Sequence, residues 1–146
     1  TGTGNTGNNV LTGNALANTL SGMNGNDTID GGGGQDILIG GGGADTFVAG
    51  LASLVDGADT VTDFSRTQGD KIDIRDLLSG AIGYVEGVSD LDDFVQLVGV
   101  GANTELRFDA DGTAVGASAV NVMTLLNNSA LGDAETLAAT GTLIVS

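Results

Sequence analysis

Asn9, Asn18, Asp27, Asp36 and Asp45 stand nine residues apart, so the chain offers one side-chain oxygen at a fixed place in a nonapeptide period. Each follows a glycine by five residues (Gly4, Gly13, Gly22, Gly31, Gly40) and precedes a large apolar residue by two (Leu11, Leu20, Ile29, Leu38, Phe47). Hard oxygens repeated among glycines are donors for calcium, which takes six to eight of them at about 2.3–2.6 Å. The chain has no histidine and no cysteine, so thiolate and imidazole sites for transition metals are excluded, as is a Ser-His-Asp triad. No carboxylate pair is marked by its context, and no enzyme activity is expected in this chain.

The charge agrees with a cation as partner. Nineteen acidic residues against four basic ones give a formal charge of -15, which repels nucleic acid and anionic membranes. No apolar stretch reaches the length needed to span a bilayer, so membrane insertion is not expected. Without cysteine there are no disulfides, and a protein working outside the cell must gain stability another way; bound calcium could supply it. Thr1 opens the chain without a methionine or signal-peptide pattern, and a fragment of a longer protein is expected.

The donors need elements that hold them in phase. Residues 4–48 form five units in unbroken register, GNTGNNVLT, GNALANTLS, GMNGNDTID, GGGGQDILI and GGGGADTFV. In each, six small or polar residues read as a turn and the last three as a short strand with one inward apolar side chain. One unit cannot close a core, but stacked units bury a continuous apolar column, and two units complete one coil. Glycine content alone would suit a flexible linker; a linker has no reason to keep three positions in phase over five units. Turns of alternate units then face each other: Asp27 with Asp45, and Asp36 with Asn18 or with Asp59. Asn9 and Asn18 are neutral, and a plain turn or asparagine ladder is as good a reading for them as a ligand.

From Gly50 the period fades. Gly57-Ala58-Asp59-Thr60-Val61 repeats the back half of a unit, and Asp70-Lys71-Ile72-Asp73 echoes its end. Runs 94–100, 104–108, 120–126 and 142–145 are rich in β-branched and apolar residues between Gly, Asn and Asp breaks and predict strands. Short helical turns are expected at 74–79, 90–95 and 134–139, the second opened by Ser89 followed by Asp92. Asp90, Asp92 and Asp93 read as helix-start charges, and Asp109-Ala110-Asp111-Gly112 as a turn, because Val120 stands where an EF-hand loop needs glutamate.

Gly31–Gly32–Gly33–Gly34–Gln35–Asp36 and Gly40–Gly41–Gly42–Gly43–Ala44–Asp45, each with its following strand residues, match G-G-x-G-x-D-x-U-x at every specified position, and these units resemble the RTX calcium-binding repeat. Asp59-Thr60-Val61-Thr62-Asp63-Phe64, then Gly69-Asp70-Lys71-Ile72-Asp73-Ile74 and Leu77-Leu78, resemble the C-terminal target domain of type I secreted proteins, found at the end of large RTX adhesins. The resemblance implies an all-β fold, a right-handed parallel β-roll over residues 1–49, capped by a β-rich segment with short helices over 50–146 and packed with it as one unit. It also implies calcium ligands from the carbonyls and aspartates of three turns: Gly22, Asn24, Gly25 and Asp27; Gly31, Gly32, Gly33, Gly34 and Asp36; and Gly40, Gly41, Gly42, Gly43 and Asp45. Asp59, Asp63 and Asp70 join them where roll meets cap.

The expected function is a calcium-binding structural and secretion module of an extracellular adhesin-like protein, a monomer read by a type I ABC exporter and folding after export. The alternative is the calcium module of an RTX exoenzyme, a protease, lipase or alginate epimerase with catalysis elsewhere; Arg66, Lys71, Arg75 and Arg107 make a poor basic stripe for an anionic polysaccharide. A third reading makes Thr3, Asn5, Thr6 and Asn8 a ligand- or ice-contacting ridge, but one decorated turn is not a ridge.

Overall fold

Eighteen residues, two nonapeptides, bring the chain back beside the strand it left: Val10 lies opposite Thr28, and Thr28 opposite Thr46. The computed structural model describes residues 1–81, 91–112, 119–128 and 131–145. Alternate units feed alternate sheets. One sheet takes β2 (Val10–Asn14), β4 (Thr28–Gly32) and β6 (Thr46–Val48); the other takes β1 (Gly2–Thr3), β3 (Thr19–Asn24) and β5 (Ile37–Gly42), all parallel. Strands β2 to β5 exceed the three residues expected per unit, β3 and β5 running on through the first three residues of the next unit before the turn begins, while β6 keeps to three.

Register places the apolar positions in two columns. Leu11, Ile29, Phe47 and Ile72 align down one sheet and Leu20, Leu38 and Val61 down the other. From Ile29 onward every side chain of the first column is fully buried, while Leu11, at the open end, is half-buried. Fully burying such a side chain contributes about 1.5–3 kcal/mol, so the stack itself is the core.

Both sheets continue past the nonapeptides. Helix α1 (Ser53–Asp56) leads into β7 (Asp59–Val61), which pairs parallel with β5, and β8 (Lys71–Asp73) pairs parallel with β6. Helix α2 (Arg75–Ser79) follows, then α3 (Leu91–Phe94), β9 (Val95–Val100), β10 (Asn103–Phe108), β11 (Val120–Leu125), α4 (Ala134–Ala139) and β12 (Leu143–Ile144). Strands β9 to β11 extend the sheet of β1, β3, β5 and β7 as an antiparallel meander, with β11 parallel to β7; β12 closes the sheet of β2, β4, β6 and β8 beside β8. Leu125 and Leu143 thereby lengthen the two apolar columns.

The expected strands and helical turns appear, with shifts. Phe94 ends α3 instead of opening a strand: β9 begins at Val95, although the Phe94 carbonyl already accepts the Asp109 N–H at 2.8 Å. Helix α1 has no sequence forecast. The Ser89 cap and Asp90 lie outside the described residues. Helices α3 and α4 cap each other: Ala134 N–H donates to Asp92 Oδ1 at 2.9 Å, and Leu91 N–H to a Glu135 carboxylate oxygen at 2.7 Å. No helix among the described residues is long and apolar enough to cross a membrane.

Candidate metal centre

The Asx residues of stacked turns are joined by a one-way ladder. Asn9 N–H donates to Asp27 Oδ1 (2.7 Å), Asp27 N–H to Asp45 Oδ1 (2.9 Å), and Asp45 N–H to Asp70 Oδ1 (3.0 Å). On the other edge, Asn18 N–H donates to Asp36 Oδ1 (2.7 Å) and Asp36 N–H to Asp59 Oδ1 (3.0 Å). Asp27 therefore faces Asp45 as expected, and Asp36 has both of its expected neighbours, Asn18 below and Asp59 above. Each carboxylate is anchored to the backbone of the coil before it by one oxygen.

The second oxygen is the informative one. Oδ2 of Asp27, Asp36 and Asp45 is buried and has no hydrogen-bond partner. A buried, unpaired carboxylate oxygen is costly, and a bound cation is the group that relieves it. The first glycine of each turn leaves the room. A Cβ on Gly22, Gly31 or Gly40 would collide with Oδ2 of its own turn's aspartate, and at Gly22 it would also stand 2.8 Å from Gly40 O in the next coil. Carbonyls crowd the same seam: a Cβ on Gly41 would strike Met23 O, and one on Gly43 would strike Gly25 O.

Backbone conformation separates two classes of turn. In the three aspartate turns the second and fourth residues both have positive φ: Met23 (85°) and Gly25 (115°), Gly32 (86°) and Gly34 (93°), Gly41 (97°) and Gly43 (130°). Asn5, Gly7, Asn14 and Leu16, at the matching places of the first two turns, do not. Those turns close on themselves instead. Asn9 Oδ1 accepts Asn5 N–H at 2.7 Å and Asn18 Oδ1 accepts Asn14 N–H at 2.8 Å, while Asn5 and Asn14 accept Gly7 N–H and Leu16 N–H. The asparagine turns are satisfied by the protein; the aspartate turns are not.

Around the third coil the acids are crowded. Burial pushes Asp45 above the usual carboxylate range, with Asp70, Asp27 and Asp63 adding like-charge repulsion against the Asp27 N–H. Burial, helped by Asp36 and Asp30, pushes Asp59 up to about 7. Burial likewise raises Asp70. Asp63 accepts Gly40 N–H and Gly41 N–H on its two oxygens, at 2.9 and 2.8 Å, and Asp70 adds Ser65 N–H at 2.8 Å. Asp63 and Asp70 thus sit over the Gly40 to Asp45 turn with one backbone donor on each oxygen. Asn24 is exposed, its side chain lying against Gly42 in the next coil.

A second ladder has no forecast from the sequence. Asn8 Oδ1 accepts Asn26 N–H and Asn26 Oδ1 accepts Ala44 N–H, a second ladder running opposite to that of the aspartates. The eighteen-residue spacing of Asn8 and Asn26 was the available signal. These bonds also occupy Asn8, one of the residues of the ridge reading.

The family model described as the RTX calcium-binding nonapeptide repeat (4 copies) matches residues 1–15 and 12–47. No curated protein matches the chain. Among solved structures, the AlgE6R2 subunit of the mannuronan C5-epimerase from Azotobacter vinelandii is 25% identical, covering 98% of this chain and 91% of that one, with a TM-score of 0.54. The AlgE6R3 subunit of the same enzyme is 25% identical over 96% of this chain and 79% of its own (TM-score 0.49), and the C-terminal domain (RV) of MpAFP is 22% identical over 86% and 75% (TM-score 0.46). Residues 1–47 of this chain are RTX calcium-binding nonapeptide repeats, folded as a β-roll.

Proposed function

We propose that the chain is a calcium-assembled structural module at the end of an exported, extracellular RTX protein of the adhesin type, carried by a type I exporter and folding when it meets calcium. The observation that supports this reading is the set of three buried, partnerless Oδ2 atoms on Asp27, Asp36 and Asp45. Asp27 and Asp45, with the carbonyls of Met23, Gly25 and Gly40, would hold one ion between the two coils; Asp36 and Asp59, with carbonyls of the Gly31 to Gly34 turn, would hold a second. Calcium there neutralises acids that otherwise repel, and joins one coil to the next. The seventeen residues expected as ligands divide accordingly: the three aspartates, the first, second and fourth glycines of their turns and Asp59 would line these seams, Asp63 and Asp70 lie over the last turn, and the third-place residues Asn24, Gly33 and Gly42 lie outside, Gly33 against Ala15 and Asp56 and Gly42 against Asn24.

A site with a dissociation constant of about 0.1 mM contributes about 1.4 kcal/mol at millimolar calcium, so two or three such sites contribute about 3–4 kcal/mol, a large share of a small domain's stability. At submicromolar calcium that contribution vanishes, which would keep the chain unfolded for export and let it fold outside. Calorimetric titration of chelator-treated protein tests the reading: wild type takes up at least two calcium ions, and the Asp27→Asn/Asp45→Asn variant loses one. Heatless titration of the wild type would reject it.

A second reading rests on one observation, the likeness along nearly the whole chain to a subunit of a mannuronan C5-epimerase. In it the chain is the non-catalytic module of a polysaccharide-modifying exoenzyme. Weak binding of mannuronan oligosaccharides in saturating calcium would favour this reading, and none would favour the adhesin-type role.

A further inference from the structure

The Gly22 to Asp27 turn is covered by another nonapeptide, and the Gly40 to Asp45 turn by residues 63–70. In the first case the carbonyls of the second and fourth turn residues, Met23 and Gly25, crowd Gly41 and Gly43 at the same places of the turn above. Gly41 and Gly43 repeat that positive-φ pair one coil later, but their carbonyls meet a donor. The Gln68 side-chain nitrogen donates to Gly41 O at 3.1 Å and to Gly43 O at 3.2 Å, the orientation that satisfies both ends of its amide.

The same segment satisfies the rest of that turn. Asp63 takes the Gly40 and Gly41 N–H groups, one on each oxygen, and Asp70 takes those of Asp45 and Ser65 in the same way. Oδ2 of Asp27, Asp36 and Asp45 is buried without a partner, whereas every carboxylate oxygen of Asp63 and Asp70 has one. The asparagine ladder stops here too. Ala44 stands in the place of Asn8 and Asn26, and a Cβ on Gly69 would lie 3.3 Å from its methyl group. The segment's shape comes from its own backbone: Gln68 N–H and Asp70 N–H donate to Ser65 O at 3.1 and 3.2 Å, and Gly69 N–H to Arg66 O at 3.2 Å.

We propose that residues 63–70 form a metal-free stopper, in which the Gln68 carboxamide nitrogen takes the place of a cation over the last turn. An amide N–H group can satisfy two carbonyls, but it is a donor and adds no ligand to an oxygen shell. The calcium sites of the Asp27 and Asp45 edge therefore end at the seam below Asp45. Asp63 and Asp70, expected as ligands from the sequence, serve as acceptors for backbone N–H groups. This rests on the calcium reading above and defines where along the roll the ions stop.

Native mass spectrometry at about 1 mM calcium, with thermal melts in the same buffer, tests this on wild type, Gln68→Leu and Gln68→Glu. Gln68 is exposed, so neither variant opens the core. Gln68→Leu removes both donors and is expected to hold as many ions as wild type, with a thermal midpoint lower by about 3–6 °C. Gln68→Glu turns a carboxylate toward Gly41 O and Gly43 O and is expected to hold one ion more. A Gln68→Leu chain that holds fewer ions, or that melts like wild type, would overturn the stopper, as would a Gln68→Glu chain with the wild-type count. A wild type without calcium would overturn the function proposed above together with the stopper, whereas a calcium-loaded wild type that loses an ion in Gln68→Leu would overturn the stopper alone.

Discussion

Asp27 and Asp45, eighteen residues apart, are joined by a single hydrogen bond from the Asp27 N–H to Asp45 Oδ1 at 2.9 Å, while Oδ2 of each stays buried without a partner. One oxygen builds the protein, and the other is the cation ligand of the function proposed above. Asp45→Asn separates the two roles, because the amide oxygen can still accept the Asp27 N–H but the charge is gone. The variant is expected to need at least about tenfold more calcium to fold, through lost Coulomb attraction, and to be no less stable than wild type in chelator. Paired titrations followed by circular dichroism measure both.

Gly22→Ala puts a methyl group against Asp27 Oδ2 and 2.8 Å from Gly40 O, inside the seam. Gly99→Ala meets nothing within 4 Å. The first is expected to cost one bound calcium and about 2–4 kcal/mol in saturating calcium, the second less than about 0.5 kcal/mol. Urea melts at fixed calcium compare them.

Met23 holds φ at 85°, where its counterparts are Gly32 and Gly41. A non-glycine residue in that region costs about 1–2 kcal/mol, partly offset by the smaller entropy its unfolded state has to lose. Met23→Gly is therefore expected to raise stability in calcium by about 0.5–1 kcal/mol without changing the calcium count. A fall in the thermal midpoint would contradict this.

The pH dependence should reverse with metal. Asp59 titrates near 7 in the metal-free fold, and Asp45 and Asp70 are also raised above their unfolded values. Between the unfolded value of about 4 and about 7, the folded chain then binds protons that the unfolded chain does not. In chelator, stability should rise as pH falls from 8 to 5. In saturating calcium, protons compete with the ion for the same oxygens, so stability should fall over that window. The folded fraction in chelator, read by circular dichroism at pH 5, 6.5 and 8, and chemical melts in calcium at the same pH values check the two slopes.

The repeat was legible because its physics is periodic. A glycine, an Asx oxygen and one apolar side chain every nine residues specify a coil, and the coil then places Asp27 against Asp45 and Leu38 beside Leu20 without further information. The two classes of turn were legible only in part. Aspartate against asparagine hinted at the difference, whereas the positive φ at residues 23 and 25, absent at 5 and 7, is a backbone property that one letter of sequence does not encode.

Beyond Gly50 local pattern gave the strands but not their partners. That β11 lies parallel to β7 and β12 parallel to β8 depends on contacts more than sixty residues apart, which no short window contains.

The most direct test of calcium as the organiser of this fold is far-UV circular dichroism during a calcium titration that starts in chelator, with magnesium as the control for charge screening. The account predicts β-structure appearing cooperatively near millimolar calcium and little response to equal magnesium. A chain equally folded in chelator, or equally rescued by magnesium, would contradict it.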